Sequence, residues 1–197
     1  MQVTNQLSES DNNLTVNKTI CNRNNTRDVL VNFAITNARS LMPKIESFVE
    51  MFDELDLSLC VVSESWLKAG RELNLRMNDL ENGNNLSMIH KSRKSNRGRN
   101  AGGGITIAFN KTKIKLQEYP IRKGKAEIIA ATGRVPNIPR KVVVFGIYIP
   151  PKNTAKQSKE ALELLSDGIL KAKSEYEDPI IIIGGDFNRR ELSLIHI

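Results

Sequence analysis

Three apolar runs in this sequence each lead to a polar side chain that could take part in chemistry. VLVNFAI (29–35) leads to Asn37, LSLCVV (57–62) to Glu64, and the isoleucine run 180–183 leads through two glycines to Asp186 and Asn188. In layered α/β folds, sites gather at strand ends, where loops meet a rigid sheet. A carboxylate just beyond an apolar run needs water, a partner or a metal ion. Two such carboxylates with amides beside them make a hard, oxygen-rich set that suits Mg²⁺ better than zinc or copper. Near a basic surface, the matching substrate is a phosphate ester. Taken alone, Glu64 reads sooner as a solvated loop acid or a helix cap, and Asp186 as an Asx-turn. Gly184 and Gly185 weaken the second reading, because they let the backbone turn tightly and bring the acid inward.

A basic surface is present. The 197 residues carry 29 Lys and Arg against 22 Asp and Glu, a formal net charge of +7. Between Glu81 and Glu118 there is no acidic residue, while Lys91, Arg93, Lys94, Arg97, Arg99, Lys111, Lys113 and Lys115 give a local +8. Charge concentrated in this way points to a polyanion, with nucleic acid ahead of a membrane surface. The plainer alternatives are a solvated basic loop or a nuclear-import signal.

Other classes fit poorly. No apolar run approaches the ~18 residues of a membrane helix, and the N-terminus lacks a basic-then-apolar signal pattern. The expectation is a soluble intracellular protein of nucleus or cytoplasm, not secreted and not membrane-bound. Cys21 and Cys60 lie far apart and form no disulfide framework, and Cys60, inside LSLCVV, reads as a buried thiol. With His90 and His196 they also lack the Cys-x-x-Cys pair of a structural zinc site. No phosphate-binding G-x-x-x-x-G-K-[ST] and no G-x-S-x-G occur, and GGGITIAF opens a strand rather than a dinucleotide-binding helix.

The elements that must hold these groups follow from pattern. Residues 1–28 are rich in Asn, Ser and Thr and read as a disordered polar leader. A strand over 29–35 precedes a helix that begins near Pro43, with Ile45, Phe48, Val49, Phe52 and Leu55 on one face. A buried strand follows at 57–62. Residues 70–104 are mainly loop, with a short strand at 86–89. Strands are expected over ITIAF, 113–119, 125–132 and 140–149, spaced as antiparallel neighbours. A helix over 154–175 turns Ala161, Leu162, Leu165, Ile169 and Ala172 inward. The isoleucine run suits a strand covered on both faces. The domain is thus expected over 29–190. Residues 191–197 form a short tail, and a stop so soon after a core strand reads as a C-terminal truncation.

Five segments stand in a recognisable order: NARSL (Asn37–Leu41), SESWL (Ser63–Leu67), GGGITI (Gly102–Ile107), YIPP (Tyr148–Pro151) and GGDFN (Gly184–Asn188). Together they resemble the endonuclease/exonuclease/phosphatase family of apurinic and deoxyribonuclease-I-like enzymes. NARSL, SESWL and YIPP look most like the endonuclease domain of non-LTR retrotransposon polyproteins. The resemblance implies a four-layer α/β/β/α sandwich, here incomplete because C-terminal strands are missing, and Mg²⁺ as cofactor, with Mn²⁺ as an alternative. It implies that Glu64 is a metal ligand, with Asn37 helping to hold the metal site. Asp186 would orient or deprotonate the attacking water, with Asn188 as its partner amide, and Tyr148 would lie near the phosphate. Tyr148 also reads as a strand tyrosine packing on the sheet, and Trp66 as a residue packing beside Glu64 without a catalytic role. Lys91, Arg93, Lys94, Arg97 and Arg99 would hold the DNA backbone; no protein partner is implied. The family's late Ser-Asp-His motif has no match: His196 has no aspartate before it and His90 lies in the basic stretch. The chain is therefore expected to be a DNA-nicking phosphodiesterase fragment with little activity of its own. A nucleic-acid-binding fragment without catalysis, or a phosphatase or phospholipase of the same fold, are the alternatives.

Overall fold

The chain's fold is seen in a computed structural model that describes residues 14–20, 30–67, 77–92, 103–124, 126–151 and 154–188. Its organising feature is a strand–helix–strand unit that occurs twice. In the first, β2 (Leu30–Asn37) passes through α1 (Ile45–Glu54) to β3 (Leu59–Ser63), which runs parallel to it with Asn37 opposite Ser63. In the second, β8 (Val142–Tyr148) passes through α2 (Ala155–Glu175) to the parallel β9 (Ile180–Asp186), with Tyr148 opposite Asp186. A parallel pair needs a crossover connection, and the helix supplies it. Each unit therefore delivers two strand C-termini side by side.

Around these pairs the remaining strands add antiparallel. β5 (Ile105–Asn110) joins β3, and β4 (Leu86–Lys91) joins β5. β1 (Leu14–Ile20) lies on the outer edge of β2, completing the sheet order β1-β2-β3-β5-β4. The second sheet runs β6-β7-β8-β9, with β6 (Lys115–Glu118) and β7 (Glu127–Arg134) antiparallel to their neighbours. The antiparallel expectation thus holds for β6, β7 and β8, whereas β5 belongs to the other sheet. β1 falls within the stretch read as a disordered leader. LTVNKTI does alternate Leu14, Val16 and Ile20 with polar residues, but the Asn-rich flanks dilute that period, and the free edge of β2 offers backbone partners to any extended segment.

Three packed cores make four layers. Val61, Ile105, Ile107, Val144 and Ile182 fill the space between the sheets. Ile45, Phe48, Val49 and Phe52 of α1 cover the outer face of the first sheet against Cys60 and Val62, and Leu55 packs partly buried beside them. Ala161, Leu164, Leu165 and Ala172 of α2 cover the second against Phe145 and Ile147. The order α/β/β/α is the expected one. On α2 the inward face is rotated slightly: Leu164 is fully buried, and Leu162 is half-buried. The helix starts in a capping box, with Thr154 and Gln157 satisfying each other's backbone N–H groups. β9 alternates as an edge strand should: Ile180 and Ile182 enter the inter-sheet core, and Ile181 and Ile183 lie half-buried toward α2. Cys60 is buried, and burial pushes its thiol up, which leaves it inert. Cys21 lies outside the described residues. Among the described residues no helix is long and apolar enough to cross a membrane.

Candidate active site

The four strand C-termini converge at one end of the sandwich. Asn37 closes β2, Glu64 follows β3, Tyr148 closes β8 and Asp186 closes β9. Asn37 joins the two sheets. Its side-chain amide has two N–H donors; Nδ2 lies 3.2 Å from Glu64 Oε1 and 3.0 Å from Asp186 Oδ2. Tyr148 donates its hydroxyl to the same Glu64 Oε1 at 2.8 Å, while its ring is buried in the inter-sheet core. The ring of Tyr148 therefore packs as a strand tyrosine does, and its hydroxyl holds Glu64.

Asp186 is set by the glycines before it. Gly185 has φ +139°, and a Cβ there would lie 1.8 Å from the Ile147 carbonyl oxygen. A Cβ on Gly184 would press to 3.0 Å on Val61 of the facing sheet. Gly184 thus lets β9 approach β3 closely at the site, and Gly185 leaves room for the backbone of its neighbour β8. Asn188 follows in the same turn. Its backbone N–H donates to Asp186 Oδ1 at 2.9 Å, but its side-chain amide donates to the Ile149 carbonyl at 3.0 Å. It anchors the Asp186 turn to the end of β8.

Glu64 is held in a left-handed backbone conformation, φ +50°, and Trp66 in another, φ +53°. Hydrogen bonds clamp this loop on both sides. Ser40 and Leu41 N–H donate to the Glu64 and Ser65 carbonyls at 2.9 Å each. On the other flank Ser65 and Trp66 N–H donate to the Gly104 and Gly103 carbonyls at 3.3 and 2.9 Å. Glu127 fixes that second clamp by accepting the Gly104 N–H at 2.6 Å. Neither Glu127 nor Arg39, which is exposed beside Ser40 at φ +44°, was singled out by the sequence patterns. Arg39 stood within NARSL without any signal of its own, and Glu127 acts through a contact that only the fold creates. Trp66 does not pack beside Glu64 as expected: it is 45% exposed.

Two half-buried carboxylates share one neutral amide, and among the described residues neither forms an ion pair. Like charges brought together without a basic partner favour a cation between or beside them. Among the described residues no group of three or more His, Cys, Asp and Glu is assembled. The donor set is two carboxylates and an amide, which suits a hard cation that keeps most of its waters, as Mg²⁺ does.

The basic run is not one surface. Lys111, Lys113 and Lys115 lie at the opposite end of the sandwich, since β5 runs from the site at Ile105 to the far end at Asn110. There Lys113 bonds Asp56. Lys91 lies at the site end, but its ammonium reaches across to the Ala126 and Ile128 carbonyls at 3.2 and 3.4 Å and so ties β4 to the second sheet. Arg93, Lys94, Arg97 and Arg99 lie outside the described residues. His90, on β4, lines a lateral cleft of about 1080 Å³ with Arg122 and Lys123, apart from the Asn37–Glu64–Asp186 group.

No protein-family model matches the sequence, and no curated protein matches it. Solved structures do match. The endonuclease domain of TRAS1, a telomere-specific non-LTR retrotransposon, superposes with a TM-score of 0.53 at 13% identity, over 80% of this chain and 60% of that one. An endonuclease/exonuclease/phosphatase family protein from Bacteroides thetaiotaomicron gives 0.55 at 12% identity, over 77% and 57%. The 3′ phosphatase NExo from Neisseria, bound to product DNA hairpin, gives 0.54 at 10% identity, over 79% and 57%. The chain has the endonuclease/exonuclease/phosphatase fold. It spans about 60% of the length of these structures.

Proposed function

We propose that this chain carries the metal site of a divalent-cation-dependent phosphodiesterase that nicks DNA, of the retrotransposon-endonuclease kind. The observation that carries the reading is the Asn37 amide, which draws Glu64 and Asp186 from two different sheets to one point. Glu64 would hold Mg²⁺, or Mn²⁺ in its place, with Asn37 and Asp186 beside it. Such an ion screens phosphate charge and stabilises a leaving alkoxide. The chain's own groups do the rest. Asp186, held by Asn37 and by the Asn188 N–H, would orient a water and accept its proton. Tyr148 and Asn37 fix which way the Glu64 carboxylate faces. Arg93, Lys94, Arg97 and Arg99 would hold the DNA backbone without reading sequence, setting affinity and its salt dependence. Lys91 contributes less to that strip, because two backbone carbonyls already receive its ammonium.

The resemblance also implies a late acid–base histidine, and among the described residues no histidine joins the Asn37–Glu64–Asp186 group. General acid–base help is worth ~10²–10⁴ in rate, so these 197 residues are read as slow. Long incubation with supercoiled plasmid and Mg²⁺ or Mn²⁺ tests the reading. Slow nicking that disappears on chelation and in Glu64→Gln supports it. Hydrolysis of inositol phosphates or sphingomyelin without any DNA nicking would instead support a phosphatase or phospholipase of this fold.

A further inference from the structure

Trp66 is an exposed aromatic two residues beyond Glu64, and its surroundings are built rather than loose. Ser65 and Leu67 on either side are buried at 1% and 2% exposure, so the chain alternates in, out, in. The Trp66 N–H is tied to the Gly103 carbonyl, and the Leu67 carbonyl accepts the Ser92 hydroxyl at 2.7 Å. The backbone at Trp66 sits in the left-handed region, a conformation that a bulky residue keeps only where its surroundings impose it. A loop pinned at both neighbours thus presents a large apolar ring to solvent, two residues beyond Glu64.

The surroundings also indicate what would cover it. Among the described residues the only other large exposed hydrophobic is Leu170, on the outer helix layer. Among the described residues no second exposed large hydrophobic extends that ring into the contiguous patch that a protein interface or a lipid surface needs. One ring is the right size for one nucleobase. A cation on the facing loop points the same way: Arg39 is exposed beside Ser40, whose N–H bonds the Glu64 carbonyl.

We infer that Trp66 is a stacking platform for a base of a nucleic-acid strand whose backbone crosses the Asn37–Glu64–Asp186 group, with Arg39 at a neighbouring phosphate. The inference rests on the phosphodiesterase reading for the position of the strand. Stacking is sequence-tolerant, because every base has a π-face, so the contact would set register and affinity rather than sequence preference.

Trp66 is the sole tryptophan of the chain, so its emission reports the contact directly. The full chain is titrated with a short single-stranded oligonucleotide and with duplex DNA without added metal, and binding is followed in parallel by anisotropy of a fluorescein-labelled strand. Saturable quenching at the concentrations that raise anisotropy is expected. Trp66→Ala should weaken binding by about 5- to 100-fold, Trp66→Phe should retain most of it, and Leu170→Ala, on the outer helix layer, should quench like the parent. DNA binding with unchanged emission and equal affinity in Trp66→Ala would overturn the inference, as would quenching by vesicles but by no oligonucleotide. Quenching by DNA in a chain that never nicks with any divalent ion would sink the nuclease reading and leave this contact standing.

Discussion

The two ends of the sandwich reverse their chain by different means. Away from the candidate site, the non-glycine residues with positive φ among those described are Asp56, Asn82, Asn137 and Asp178. Their short polar side chains tolerate the left-handed region. At the site end they are Arg39, Ser40, Glu64, Trp66 and Asn188, and only Asn188 is of that tolerant kind. Charge divides in the same way. At the far end Lys113 pairs with Asp56 and Arg140 with Asp178. At the site end Glu64 and Asp186 share an amide. One end is ordinary turn chemistry. The other holds side chains in conformations that cost of order 1–3 kcal/mol each, offset by the hydrogen-bonded clamps around Glu64. Among the described residues, strain and two carboxylates without an ion pair thus gather at one end of the same scaffold.

That contrast can be broken by substitution. The largest effect is expected from Glu64→Gln and Asp186→Asn, each lowering the metal-dependent nicking rate by roughly 10²–10³-fold while the melting temperature stays near the parent's or rises; a matching fall in melting temperature would mean that the carboxylates serve stability instead. Next comes Gly185→Ala. Its Cβ would meet the Ile147 carbonyl, and a loss of about 1–3 kcal/mol should appear as a melt lowered by several degrees. Glu127→Ala should reduce kcat about 10-fold with KM little changed, because it releases the clamp behind Glu64 without touching substrate, and Glu127→Gln should restore much of the loss. The smallest effect compares the two ends directly. Arg39→Gly should raise stability by roughly 0.5–1 kcal/mol by relieving strain, whereas Asn137→Gly should stay within about 0.5 kcal/mol of the parent in denaturant unfolding.

The sequence carried the layers well, because their signals are local. The one-sided face of α1 and the apolar runs of β3, β8 and β9 each declare themselves within a few residues. Asn37, Glu64 and Asp186, which the fold brings together, are legible as polar ends of apolar runs, since burial before them makes their type conspicuous. What escaped depended on contacts between distant segments. Lys91 looked like one charge in a basic strip, but the fold turns it onto β7. Lys111, Lys113 and Lys115 are neighbours of that strip in sequence and lie at the other end of β5. Glu127 gives no signal until Gly104 is brought beside it. Trp66 reads in the sequence as packing beside Glu64, whereas the fold leaves it 45% exposed on a loop of positive φ. β1 was missed because its alternation is weak beside an Asn-rich flank.

The central claim is that Asn37, Glu64 and Asp186 form one divalent-cation site, and metal binding tests it apart from catalysis. Titration of the chain with Mn²⁺, followed by the electron paramagnetic resonance of the free ion, should show a saturable site that Mg²⁺ displaces. Glu64→Gln and Asp186→Asn should each weaken it at least about 10-fold, and Asn37→Ala, which frees both carboxylates from their shared amide, should weaken it less. Mn²⁺ binding of equal strength in all three variants, or none in the parent, would contradict the account.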